Sequence, residues 1–126
     1  MDKKRNSLLS SFKCAFSGIF SVVKNERNIK IHLLAMLLVI IFGFLLKIST
    51  TEWIVCLILF ALVIGAELIN SGIETTVDLA MPEKHEKAKL AKDVSAGAVL
   101  FIAIIAVIIG AIIFAPKIIL FIKEIL

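Results

Sequence analysis

Four residues with oxygen-bearing side chains recur at helical spacing in this 126-residue sequence: Glu67, Asn70, Glu74 and Asp78. At the helical rotation per residue they fall within an arc of about 80° on one face. A solvated face does not account for Glu67, because this residue directly continues an uncharged run of apolar character. An ionisable residue in a membrane-spanning helix is costly, so a functional role is the default hypothesis. The alternative is a polar seam that holds helices together.

The depth of these residues suggests which chemistry they could perform. If the helix enters the membrane at Trp53, Glu67 lies about 21 Å further along a hydrocarbon core about 30 Å thick. Glu26, Lys92 and Asp93 lie just before the neighbouring apolar segments, and so at a similar level. A carboxylate there could accept the proton of a lipid hydroxyl, two hard oxygen ligands could hold Mg²⁺ against phosphates, and a lysine could neutralise phosphate charge. The sequence contains no glycine-rich phosphate loop, so metal transport, proton relay and lipid modification stay open at this point.

The composition is that of an integral membrane protein. Apolar residues make up 60% of the chain, and the mean hydropathy is +1.06. A soluble domain of this size could not bury so much apolar surface in one core. The same composition excludes a disordered chain, a nucleic-acid-binding arm and a secreted disulfide scaffold, so no nucleic-acid partner is expected. Cys14 and Cys56 fit neither a disulfide nor a metal-ligand pattern.

The element predictions follow from the apolar runs, and they describe one all-α membrane domain over residues 1–126. Three transmembrane helices are predicted at about residues 29–48, 53–80 and 93–115, because each contains a long run without charges. Residues 7–24 have apolar side chains at helical spacing and predict an amphipathic helix on the membrane surface. Residues 82–92 form a charged loop in this prediction, and Pro116 ends or kinks the third span.

The distribution of lysine and arginine predicts the orientation. Seven of these residues precede Leu33 and four lie between the second and third spans, whereas Lys47 alone lies between the first and second. Positively charged loops face the cytoplasm. The N-terminus and the polar residues are therefore expected on the cytoplasmic side of a multi-pass cell-membrane protein, with Trp53 at the outer interface.

The segment from Glu67 to Asp78, with Ala88 to Asp93 after it, closely resembles the prokaryotic diacylglycerol kinase family. The family signature has the form E-x-x-N-[ST]-[AG]-I-E-x-x-x-D. The stretches Ser11–Ile19 and Glu26–His32 look like the Gram-positive branch, whose members are undecaprenol kinases. The resemblance covers about residues 7–115. It implies a homotrimer of three-span subunits with an N-terminal surface helix, and composite active sites at the cytoplasmic interface.

The resemblance also implies roles for individual residues. Glu67 would be the general base, and Asn70 would position groups near the reacting phosphate. Glu26 and Glu74 would be ligands of the Mg²⁺ that bridges the ATP phosphates. Two residues would bind the nucleotide, namely Lys92 through its phosphates and Asp93 by contacting nucleotide or lysine. Asp78 has a less definite part, and for His32 a structural bond is favoured over nucleotide binding.

The sequence thus predicts a magnesium- and ATP-dependent lipid kinase that transfers the γ-phosphoryl group to undecaprenol, giving undecaprenyl phosphate. A diacylglycerol kinase that makes phosphatidic acid is the alternative within the same class. An alternative of another class is a non-enzymatic membrane protein, in which Glu67, Glu74 and Asp78 form a packing or permeation seam.

Overall fold

A computed structural model describes residues 7–126, and this part of the chain forms four helices. These are α1 (Leu8–Asn25), α2 (Arg27–Leu45), α3 (Thr50–Ala80) and α4 (Glu86–Ile125). Three of them, α2, α3 and α4, are long and apolar enough to cross a membrane. Most of their large apolar side chains are exposed in the single chain, Phe44, Phe101 and Val107 among them. The predicted all-α architecture with three spans is confirmed.

Helix α1 is separated from α2 by one extended residue, Glu26. The helix begins after Ser7, whose hydroxyl oxygen accepts a hydrogen bond from the backbone N–H of Ser10 at 3.2 Å. None of its residues is buried, and Phe12, Phe16 and Phe20 are largely exposed. The predicted helix over residues 7–24 is therefore present, with an exposed apolar face of the kind that membrane-surface helices carry.

A tight turn joins α2 to α3. Lys47 has a positive φ of 52°, and the N–H of Ile48 donates to the carbonyl of Gly43 at 3.1 Å. This pattern closes the C-terminal end of α2. Ser49 and Glu52 then form a reciprocal capping box that begins α3. The turn folds α3 back along α2 as an antiparallel neighbour.

Helices α3 and α4 form the most extensive helix pair. An apolar cluster around Ile48, Cys56 and Ile113 fills one end of the bundle, where Lys117 Nζ also lies 3.2 Å from Glu52 Oε1. At the other end, Lys92 of α4 is ion-paired with Asp78 of α3. These contacts fix the register of the two helices and place the polar residues of both at the same end. Cys14 is exposed and Cys56 is buried, and both are free thiols.

Helix α4 extends beyond the predicted third span at both ends. The charged loop was expected over residues 82–92, but α4 already begins at Glu86, where His85 Nδ1 accepts a hydrogen bond from the Lys87 N–H at 3.1 Å and caps the helix. The third span was predicted at about residues 93–115, with Pro116 ending or kinking it, and α4 continues through Pro116 to Ile125. A proline removes one backbone hydrogen bond, and the ion pair of Lys117 with Glu52 anchors the turn that follows it.

Candidate active site

Glu67 lies in α3 and is almost completely buried, with 4% of its surface exposed. Its Oε1 atom lies 3.6 Å from Nε2 of His32, which the antiparallel arrangement of α2 brings beside α3. Within residues 7–126, His32 is the one ion-pair partner of Glu67. A carboxylate among apolar helices is costly unless it is paired. The structure therefore gives His32 a specific neighbour, and that neighbour is the predicted general base.

Asn70 lies one helical turn from Glu67 and connects α3 to α4. Its Oδ1 atom accepts a hydrogen bond from the hydroxyl of Ser95, and both residues are buried. Its Nδ2 group donates to Oε1 of Glu74 at 3.5 Å. Both the oxygen and the nitrogen of the Asn70 amide are therefore hydrogen-bonded. The partner of the nitrogen, Glu74, is one of the two predicted metal ligands.

Glu67 and Asn70 open into one pocket of about 210 Å³, called here the polar pocket. Its wall is formed by residues of α2, α3 and α4, namely Asn28, Ile31, His32, Glu67, Asn70, Ala96, Val99, Leu100 and Ala103. The polar atoms are contributed by α2 and α3, whereas α4 contributes an apolar wall. A pocket with a few convergent polar groups in an apolar lining is typical of ligand sites.

A second cavity, called here the apolar cavity, adjoins the polar pocket. Its volume is about 280 Å³, and His32 and Ala103 line both spaces. The rest of its wall is apolar or weakly polar and reaches as far as Cys56 and Phe114, near the other end of the bundle. The polar pocket and the apolar cavity together extend from the buried Glu67 carboxylate into an apolar space along the helices.

Lys92 and Asp93 lie in a wider groove of about 620 Å³ beside the α3–α4 loop, called here the loop groove. Each has a local partner. Lys92 Nζ is paired with Asp78, and Asp93 Oδ2 accepts a hydrogen bond from Lys89 Nζ at 2.6 Å. Both residues predicted to bind the nucleotide thus lie in one groove, whose wall carries three lysines and four carboxylates. On nucleotide binding, Lys92 would exchange a carboxylate for a phosphate.

Glu26 lies in a different groove, which it shares with Ser71, Gly72 and Thr75 of α3. Its side chain makes no capping hydrogen bond at the start of α2. Glu74 is not part of that groove's wall. In the described part of the chain, no group of three or more His, Cys, Asp and Glu side chains is placed to hold a metal ion. This does not conflict with Mg²⁺, which usually takes one or two carboxylates and fills its shell with phosphate oxygens and water.

Two features of the site were not predicted from the sequence: the part played by Ser95 and the contact of His32 with Glu67. Ser95 was not considered, although it follows Lys92 by three residues and so shares its helix face. For His32 the sequence favours a structural bond over nucleotide binding, and it does not identify Glu67 as the neighbour, because that contact depends on the register between α2 and α3. A polar residue in an apolar helix, one helical turn beyond a predicted site residue, is the signal that could have identified Ser95.

Fold and site together define a class: a small three-span membrane protein with a buried carboxylate, a polar pocket that adjoins an apolar cavity, and a groove lined by lysines and carboxylates at one end. The sequence profile described as prokaryotic diacylglycerol kinase matches residues 13–114. The chain belongs to this family, and it is a membrane lipid kinase. This membership favours an enzyme over the non-enzymatic alternative.

Individual relatives are similar over nearly the whole chain. The undecaprenol kinase of Bacillus subtilis (strain 168) is 43% identical over 112 residues, covering 89% of this chain and 91% of the relative. A diacylglycerol kinase of Synechocystis is 39% identical over 87% of this chain and 63% of its own length. A diacylglycerol kinase of Haemophilus influenzae is 32% identical over 85% of this chain and 92% of its own length.

Proposed function

We propose that this kinase phosphorylates undecaprenol, using ATP and Mg²⁺, and so makes undecaprenyl phosphate. The observation that carries the proposal is the 43% identity to an undecaprenol kinase over nine-tenths of both chains. The apolar cavity supports it, because a long prenyl chain needs an apolar path that leads away from the reacting hydroxyl. In this proposal the first isoprene units occupy the cavity beside His32 and Ala103.

Glu67 is the general base in this proposal. Its carboxylate takes the proton of the lipid hydroxyl as the hydroxyl oxygen bonds to the γ-phosphorus and the bond from that phosphorus to the β–γ bridging oxygen breaks. ADP leaves with the electron pair of the broken bond, and the proton stays on Glu67. The buried position of Glu67 favours this role, because water does not compete with the substrate hydroxyl for the carboxylate. Asn70, held by Ser95 and Glu74, positions groups next to the reacting phosphate.

The nucleotide is bound at the loop groove in this proposal. Lys92 binds the ATP phosphates, and Asp93 orients the nucleotide or the neighbouring lysines. Glu74 and Glu26 are the proposed Mg²⁺ ligands, since both supply the hard carboxylate oxygens that this ion prefers. Bound Mg²⁺ would neutralise phosphate charge as the γ-phosphoryl group is transferred.

The oligomer and the orientation belong to the same proposal. We infer a homotrimer with composite sites between subunits, and a cytoplasmic location of the N-terminus and the polar pocket. The large exposed apolar surface of α2, α3 and α4 is available for contact with lipid and with other copies of the chain. The excess of lysine and arginine before Leu33 and in the α3–α4 loop supports the orientation.

The test is a phosphoryl-transfer assay on the purified protein in mixed micelles. ATP and Mg²⁺ are offered with undecaprenol and with diacylglycerol in parallel, and a Glu67→Gln variant serves as the background. We expect a higher kcat/KM for undecaprenol. A higher value for diacylglycerol would overturn the proposed substrate and keep the chemistry, as the Synechocystis and Haemophilus influenzae relatives would suggest. Transfer to neither lipid by well-folded protein would overturn the proposed reaction.

A further inference from the structure

The two side chains in the contact between His32 and Glu67 differ in their exposure. The Glu67 side chain is 5% exposed, whereas the His32 side chain is 22% exposed. His32 lies on both the polar pocket and the apolar cavity, so it stands between the carboxylate and the surroundings of the bundle. The separation of 3.6 Å between Nε2 and Oε1 is slightly longer than a hydrogen bond.

A general base that is buried must also lose its proton. Each transfer leaves one proton on Glu67, and the next lipid hydroxyl cannot be deprotonated until this proton has reached water. Glu67 has little direct access to water once a lipid fills the pocket. Among the described residues that line the polar pocket, His32 is the only other titratable group, since the remaining side chains are two amides and apolar residues. Within residues 7–126, the apolar cavity adds only the Cys56 thiol.

We propose that His32 is a positioning residue for Glu67 that also takes up its proton after each transfer and passes it to water. The proton moves from the Glu67 carboxyl to Nε2 of His32 and then to solvent, which restores the carboxylate and the neutral imidazole. Histidine suits this task because its charge changes near neutral pH. The proposal rests on the proposed role of Glu67 as the base.

The two roles of His32 predict one kinetic pattern. His32 contacts Glu67 and does not line the loop groove, where the nucleotide is proposed to bind. Replacement of His32 should therefore lower kcat and leave the KM for ATP unchanged. A histidine that only fills space would have no such selectivity, and its loss would not be repaired by a base from solution.

The main test uses His32→Ala, which removes the imidazole and leaves room for a small base. We expect kcat to fall by about tenfold or more, with the KM for ATP within about threefold of wild type. Added imidazole and methylimidazoles should restore kcat, and the restored rate should increase with the base strength of the added compound. Leu34→Ala, an exposed position two residues further along α2, is the control and should show no response to these bases.

A second variant covers the possibility that His32→Ala does not fold. His32→Gln keeps a hydrogen-bonding side chain but cannot carry a proton, and its kcat should fall similarly. In combination with Glu67→Gln it should cause no further loss, because both act on the same proton. Wild-type turnover in His32→Gln, or losses that multiply in the double variant, would overturn the proposal. Wild-type protein is assayed beside the variants, so that failure of the His32 proposal can be distinguished from failure of the proposed function. Absence of lipid phosphorylation in the wild type would contradict the proposed function.

Discussion

The hydroxyl of Ser95 donates a hydrogen bond to Oδ1 of Asn70, and this contact joins α4 to α3 one helical turn from Glu67. Both residues are buried. The amide of Asn70 is thereby fixed in one orientation, with its Nδ2 group directed at Glu74. The contact thus connects the packing of the two helices to the proposed placement of the phosphate-binding groups.

Ser95→Ala should weaken both packing and catalysis. The substitution leaves Oδ1 of Asn70 buried without a donor, which costs about 1–3 kcal/mol. We expect the free energy of unfolding, measured by titration with a denaturing detergent, to fall by that amount, and kcat to fall as Asn70 loses its orientation. Thr76→Ala is the control, because its exposed hydroxyl bonds only to the Gly72 carbonyl of its own helix. Equal effects of the two substitutions would contradict the role given to the contact.

Glu67→Gln should abolish turnover and preserve nucleotide binding. The amide cannot accept the proton of the lipid hydroxyl, and loss of a general base typically lowers kcat by about 10²–10⁴-fold. The Kd for ATP with Mg²⁺, measured by calorimetry in micelles, should stay within about threefold of wild type. The matched control is Glu124→Gln, which neutralises an exposed carboxylate at the far end of α4. Normal turnover in folded Glu67→Gln protein would exclude Glu67 as the base.

Neutralising Lys92 and neutralising Asp78 should change the KM for ATP to different extents, although the two residues form one ion pair. An ion pair between exposed side chains contributes little to stability, so Lys92 can exchange Asp78 for a phosphate at small cost. Lys92→Met should raise the KM for ATP by about tenfold or more, since a charge-assisted contact to phosphate is lost. Asp78→Asn should change this KM by less than about threefold, because it removes only a competitor. Steady-state assays with ATP varied at saturating lipid compare the two, and equal effects would assign the pair a purely structural role.

Glu74→Gln should change the metal requirement. The amide oxygen is a weaker ligand for a divalent ion than the carboxylate, whereas the hydrogen bond that Asn70 makes to this side chain can persist. The Mg²⁺ concentration for half-maximal activity, measured at fixed ATP, should rise by about tenfold or more. An unchanged requirement would remove Glu74 from the proposed metal ligands.

The sequence predicts the helices and the shared face of α3 because both follow from periodicity within one segment. Glu67 and Asn70 do meet in one pocket, as their spacing suggests. The pairing of Glu67 with His32 and of Asn70 with Ser95 was not predictable, since each pair depends on the register between two helices. The continuation of α4 through Pro116 was not predictable for a related reason. The contact of Lys117 with Glu52, a residue far away in the sequence, stabilises α4 just after Pro116.

Gly43 provides a test of the fold at the end opposite the polar pocket. A Cβ atom on Gly43 would lie 2.6 Å from Cη2 and 2.8 Å from Cζ2 of Trp53, which is closer than side chains pack. The indole has little freedom to move away, since its ring also packs against Phe44 with centroids 4.9 Å apart.

Gly43→Ala should therefore lower the free energy of unfolding by about 1–3 kcal/mol, the usual cost of overpacking, despite the better helix propensity of alanine. Gly65→Ala is the matched control, because a Cβ there meets no atom within 4 Å. This second substitution should leave stability unchanged or raise it by up to about 1 kcal/mol. Detergent-induced unfolding compares the two variants, and the kcat of folded Gly43→Ala protein should match wild type because Gly43 lies about 16 Å along α2 from His32. Equal stability of the two variants would show that the packing of Trp53 on Gly43 does not restrict this position.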